Sequence, residues 1–96
     1  MGTRENKIEK YLDSEVKDKL DGITRKWVSP HNNGVPDRIV ITKQGVCFVE
    51  VKTVDGILSP DQIREHKRLK EAGASVTTVY GHDQVDMLIK ELSNAL

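Results

Sequence analysis

Apolar residues recur every four positions near the start of the chain: Ile8, Leu12, Val16 and Leu20, with Tyr11 beside them. That period predicts an amphipathic helix over residues 4–20. Thr3 supplies its cap, and Gly22 stands where it stops. The pattern then changes. Residues 23–28 (ITRKWV) predict a strand, 29–34 (SPHNNG) a turn-rich loop, 37–42 (DRIVIT) a second strand and 46–53 (VCFVEVKT) a third. Lys43-Gln44-Gly45 predicts a tight hairpin turn, with glycine supplying the positive φ. In the third strand Val46, Phe48, Glu50 and Lys52 share one face, and Cys47, Val49 and Val51 the other. Both faces begin apolar, so this strand is expected at the centre of a sheet, covered on both sides.

Ser59-Pro60-Asp61-Gln62 opens a second helix, with Ser at the cap, Pro at the first helical position and Asp near the positive end of the dipole. It runs to about Ala72, and Gly73 ends it. Ile63, His66 and Leu69 lie along one side, while Arg64, Lys67, Arg68 and Lys70 dominate the rest. Residues 76–80 predict a fourth strand, which a right-handed crossover lays parallel to the third. Gly81 breaks the chain, and residues 83–94 form a last helix with the stripe Val85, Leu88, Ile89 and Leu92. The order is α-β-β-β-α-β-α, an α/β fold with a mixed β-sheet flanked by helices, in a single domain over residues 1–96.

A chain of 96 residues builds one modest core. No apolar run approaches the ~20 residues a membrane span needs, so a soluble intracellular protein is expected, with no membrane partner. Cys47 is the only cysteine, which excludes an intrachain disulfide and leaves it as a small core residue. Fifteen Lys and Arg balance fifteen Asp and Glu. Zero net charge argues against a protein that coats nucleic acid passively. It leaves room for one whose acids hold metal ions while its bases line a single face.

The candidate chemistry sits in the hairpin. With the turn near residue 44, antiparallel pairing brings Asp37 opposite the region of Glu50 to Lys52. Two carboxylates so placed repel each other unless one is protonated or a divalent cation lies between them. Oxygen ligands favour Mg²⁺ or Mn²⁺ over Zn²⁺. Lys52 shares a face with Glu50 and reaches the same place, where it can hold a water or meet phosphate charge. Metal, carboxylates and a cation are the set that hydrolyses a phosphodiester. Alone, Glu-x-Lys is a common surface pair in a chain with 31% charged residues; the combination with a strand-opening Asp in an apolar hairpin is more specific. Glu5 and Glu9 both lie on or beside the apolar stripe of the first helix, where an acid needs a partner or a cation.

Glu5 or Glu9, then VPD at 35–37, then EVK at 50–52 resembles the PD-(D/E)XK nuclease superfamily. The segments RENKIEKYL, SPHNNGVPDRIVI, FVEVKT, LSPDQIREHKRLKEAG and VTTVYG resemble its virus-type replication-repair nuclease (VRR-NUC) branch over nearly the whole chain. The resemblance implies a restriction-endonuclease-like sheet. It implies Asp37 and Glu50 as metal ligands with the Val51 carbonyl, Lys52 at the attacking water, and Gln62 near the site. It also implies a helix-borne glutamate, for which Glu5 has the better spacing and Glu9, one turn on, is the alternative. The implied activity is Mg²⁺- or Mn²⁺-dependent, structure-selective endonuclease cleavage of branched DNA such as Holliday junctions, by a homodimer, in the cytoplasm of a bacterium or a virus-infected host cell. Arg38, His31, Arg64, Lys67 and Arg68 are the expected DNA contacts, although His31-Asn32 makes its loop less basic than in similar proteins. The alternative is a DNA-junction-binding module that keeps this fold without catalysis.

Overall fold

The computed structural model describes residues 3–94. Seven elements follow in the expected order: α1 (Arg4–Leu20), β1 (Ile23–Lys26), β2 (Arg38–Thr42), β3 (Gly45–Lys52), α2 (Pro60–Glu71), β4 (Val76–Tyr80) and α3 (Gly81–Asn94). The sheet order is β1-β2-β3-β4. β1–β2 and β2–β3 are antiparallel, and β3–β4 is parallel across the α2 crossover. β3 is therefore central.

Local sequence accounts for the ends. The Thr3 hydroxyl accepts from the Asn6 N–H at 3.0 Å and starts α1. At the other end Asp21, rather than Gly22, takes the left-handed conformation (φ 50°), which Asp tolerates better than most residues. Gly22 is needed for a different reason: a Cβ there would lie 2.7 Å from Val16 Cγ1 and 2.8 Å from the Ile41 carbonyl oxygen. The helix end is thereby docked directly on β2. α3 begins at Gly81 itself, two residues earlier than the sequence pattern suggests.

One face of the sheet is closed. Val40, Val49, Val51 and Val79 meet Ile8, Leu12 and Val16 of α1 and Val85, Leu88 and Ile89 of α3 in a single buried cluster, with Cys47 and Leu92 packed against it. Each such side chain contributes about 1.5–3 kcal/mol by leaving water.

The other face corrects an expectation. β3 is not covered on both sides along its length. Ile23, Ile41 and Val46 form a cross-strand row that is 46%, 38% and 51% exposed. Trp27 stacks on Phe48 beside that row, ring centroids 4.7 Å apart. α2 covers only the opposite end, where Gln62 and His66 meet Glu50. The physical reason is reach: at 12 residues α2 is about 18 Å long. It is also tied to the sheet through polar groups, and Ile63 stays exposed.

Candidate active site

The site assembles where β2 begins and β3 ends. The loop before β2 delivers Asp37. Its Gly34 (φ 90°) lies so close to α2 that a Cβ there would clash with the Asp61 carbonyl oxygen. Pro36 is buried, and the Trp27 N–H donates to the Asp37 carbonyl at 3.0 Å. The observed register, Arg38 opposite Val49, sets Asp37 across from Glu50. Asp37 Oδ2 then accepts from the Val51 N–H at 2.8 Å. The hairpin spacing thus brings together the two carboxyls that the sequence paired.

Glu50 is 2% exposed. Its carboxyl is pushed up to about 9, first by burial, then by the hydrogen bond and charge of Asp37, with Glu5 adding and Lys52 opposing. Gln62 Nε2 donates to Glu50 Oε2 at 3.2 Å, and Lys52 Nζ lies 4.0 Å from the same oxygen. Gln62 also completes the capping box of α2: its Oε1 accepts from the Ser59 N–H at 2.9 Å, and the Ser59 hydroxyl accepts from the Gln62 N–H at 3.1 Å. That cap orients the amide, so its NH₂ end faces Glu50. On the other side His66 Nε2 lies 3.5 Å from Glu50 Oε1, and both atoms are buried without a hydrogen-bond partner. Burial, with Lys70 adding, pulls the His66 imidazole below its usual range, while the Gly34 backbone, Asp37 and Glu65 pull the other way.

Two carboxyls in this relation share a proton or a cation. Glu50 keeps its proton unusually well, as expected of the first alternative. Among the described residues no group of three His, Cys, Asp or Glu side chains is placed to hold a metal ion together. The set fits Mg²⁺ or Mn²⁺, which needs only one or two carboxylates and keeps several waters.

Both glutamates of α1 act on this pair, one on each member. Glu5 contributes to the field at Glu50. Glu9 is raised by burial and then by Asp37, against Lys26 and Arg38. Glu9 has a cation already, Arg38 Nη1 at 3.8 Å, and Arg38 Nη2 donates to Asp13 Oδ2 at 2.8 Å. Arg38 therefore faces α1 in a largely buried ion-pair network and is not the free DNA contact that was expected. His31, Arg64 and Arg68 do come together, lining a cleft of about 190 Å³ between the 31–33 loop and α2. Arg64 bonds Asp61 there, and Arg68 Nε is 4.0 Å from Glu65. Lys67 is exposed elsewhere on α2. The residue that sequence reasoning passed over is His66, read only as part of an apolar side. The signal was a lone polar residue between Ile63 and Leu69.

No protein-family model matches the chain. "Putative nuclease p44" of Acyrthosiphon pisum secondary endosymbiont phage 1 is 44% identical over 86 residues, spanning 88% of this chain and 91% of that protein. A solved structure described as "VRR_NUC domain" superposes with a TM-score of 0.85 at 37% identity, covering 93% of this chain and 97% of its own. A second, "VRR_NUC domain protein", shares the fold with a TM-score of 0.74 at 17% identity, covering 95% of this chain and 88% of its own. With the mixed four-stranded sheet and the paired carboxyls at its end, these similarities show that the chain belongs to the VRR-NUC family of the PD-(D/E)XK nuclease superfamily.

Proposed function

We propose that this protein is a divalent-metal-dependent endonuclease that cuts branched DNA, four-way junctions included, as a homodimer. The observation that carries the reading is Glu50: a carboxyl buried in an apolar sheet, held at about 9 by burial and Asp37, with Lys52 Nζ 4.0 Å away. Burying such a group costs stability unless a proton, a partner or a cation answers it.

Asp37, Glu50 and the Val51 carbonyl would hold the ion. In a strand the N–H and C=O of one residue point to the same side. The Val51 N–H is bonded to Asp37, beyond the last β2–β3 pair, so its carbonyl faces the same open edge. Glu5 is the acid from α1 that completes this set. It acts on Glu50, whereas Glu9 is committed to Arg38. When bound, Mg²⁺ or Mn²⁺ supplies Lewis acidity to the reacting water and neutralises phosphate charge. Lys52 positions that water and meets the negative charge that develops on the phosphate. Gln62 fixes Glu50 through the cap of α2. The water oxygen bonds to phosphorus, the bond to the 3′ oxygen breaks, and a proton passes to that oxygen, leaving a 5′-phosphate and a 3′-hydroxyl.

DNA phosphates would meet the His31, Arg64 and Arg68 cleft and the exposed Lys67 elsewhere on α2. A second copy of the chain would cover the partly exposed, apolar Ile23–Ile41–Val46 row. No helix among the described residues is long and apolar enough to cross a membrane. The phage source of one relative supports a place of action in the cytoplasm of a bacterial cell.

The test is cleavage of labelled duplex, flap, single-stranded and four-way DNA with Mg²⁺ or Mn²⁺. The four-way substrate is expected to be cut, and Asp37→Asn or Lys52→Ala to remain folded, bind it and leave it intact. Glu5→Gln is expected to lose far more activity than Glu9→Gln. Normal cleavage by Asp37→Asn or Lys52→Ala overturns this site. Junction binding by the unmutated protein with no turnover in either metal overturns the catalytic reading in favour of a binding module.

A further inference from the structure

The orphaned pair beside Glu50 points to a function for His66. We infer that His66 is a positioning residue: together with Gln62 it clamps the Glu50 carboxylate and sets it for the divalent cation. This rests on the metal site of the proposed nuclease.

Gln62 and His66 are four residues apart on α2 and so project from one face, one turn apart. They address different oxygens of Glu50: Gln62 Nε2 reaches Oε2 at 3.2 Å, and His66 Nε2 stands 3.5 Å from Oε1. Oε1 and His66 Nε2 are both buried and neither has another partner. A buried polar atom without a partner is costly, and each of these two is the other's nearest remedy. A single hydrogen between them satisfies both. The imidazole is 5% exposed, which leaves its ring little freedom to turn away. The Gly34 backbone, in the loop that delivers Asp37, also acts on the imidazole. Gln62 is anchored independently by the Ser59 cap. The start of α2 is therefore a rigid frame for one ligand, and loss of such an outer partner typically weakens metal binding about 10–100-fold.

The experiment measures Mn²⁺ binding by calorimetry without DNA, for the unmutated protein, His66→Leu, His66→Gln and Asp37→Asn. His66→Leu fills the space without a donor. It is expected to stay folded and to bind Mn²⁺ about tenfold or more weakly. His66→Gln, whose amide reaches the Nε2 position, is expected to recover most of the affinity. In parallel, ring ¹⁵N resonances of the unmutated protein are followed on adding Mg²⁺, and His66 is expected to respond while His31 and His82 do not. Unchanged Mn²⁺ affinity in His66→Leu, or a His66 ring indifferent to Mg²⁺, overturns the inference. If Asp37→Asn has meanwhile lost Mn²⁺, the nuclease reading stands without it. If the unmutated protein binds no Mn²⁺, both fall. Should His66→Leu not fold, the ring resonances and His66→Gln decide.

Discussion

On one face of the sheet Val40, Val49, Val51 and Val79 are shut beneath α1 and α3. On the other, Ile23, Ile41 and Val46 remain open at one end, and Glu50 is buried beside Lys52 at the other. The two faces alternate residue by residue along β3: Val49 and Val51 point into the core, Glu50 and Lys52 into the site. The closed face holds the strand in place. It therefore offsets the cost of an acid that is 2% exposed on the opposite side. The proposed site needs a rigid strand more than a deep pocket, because its groups are fixed to the last turn of pleat.

Breaking the site face should have the largest effect. Lys52→Ala is expected to lower the junction cleavage rate by about 100-fold or more while the melting temperature stays nearly constant. The closed face should respond in the opposite sense. Leu12→Ala, at a fully buried position, is expected to cost about 2–5 kcal/mol in urea unfolding, with normal turnover by the fraction that remains folded.

The metal-free protein should reveal Glu50 through pH. Its folded value of about 9 lies above the ~4.3 of an unfolded glutamate. Its contribution to stability is therefore complete below the unfolded value and is lost as pH rises through the folded one. The melting temperature of metal-free protein is expected to fall from about pH 5 to pH 9, Glu50→Gln to remove that slope, and Mg²⁺ to restore stability at the alkaline end. The smallest effect on folding belongs to the open row. Val46→Glu should change subunit stability by no more than about 1 kcal/mol, yet abolish the proposed dimer in light scattering.

Much of this was legible from spacing. The stripe Ile8, Leu12, Val16 and the stripe Val85, Leu88, Ile89 are the buried faces of α1 and α3. The turn at Lys43-Gln44 set the register that places Asp37 against Glu50. Cap residues announced α2, and Gln62 within that cap is in fact a hydrogen-bond donor to Glu50. Other features were not legible, because they depend on partners distant in sequence. Arg38 looked like a surface base until α1 brought Asp13 and Glu9 to it. His66 looked like a gap in an apolar side until β3 brought Glu50 within 3.5 Å. The apolar run at the start of β3 looked covered, yet α2 is too short to reach Val46.

Periodicity, caps and turn length are local, so the sequence by itself determined the elements, their order and the pairing of Asp37 with the end of β3. Burial and charge environment are sums over residues far apart in the chain. Only the tertiary structure therefore decided that Glu50 is enclosed and holds its proton, that Glu9 is answered by Arg38, and that His66 Nε2 stands beside Glu50 Oε1 with neither atom otherwise partnered.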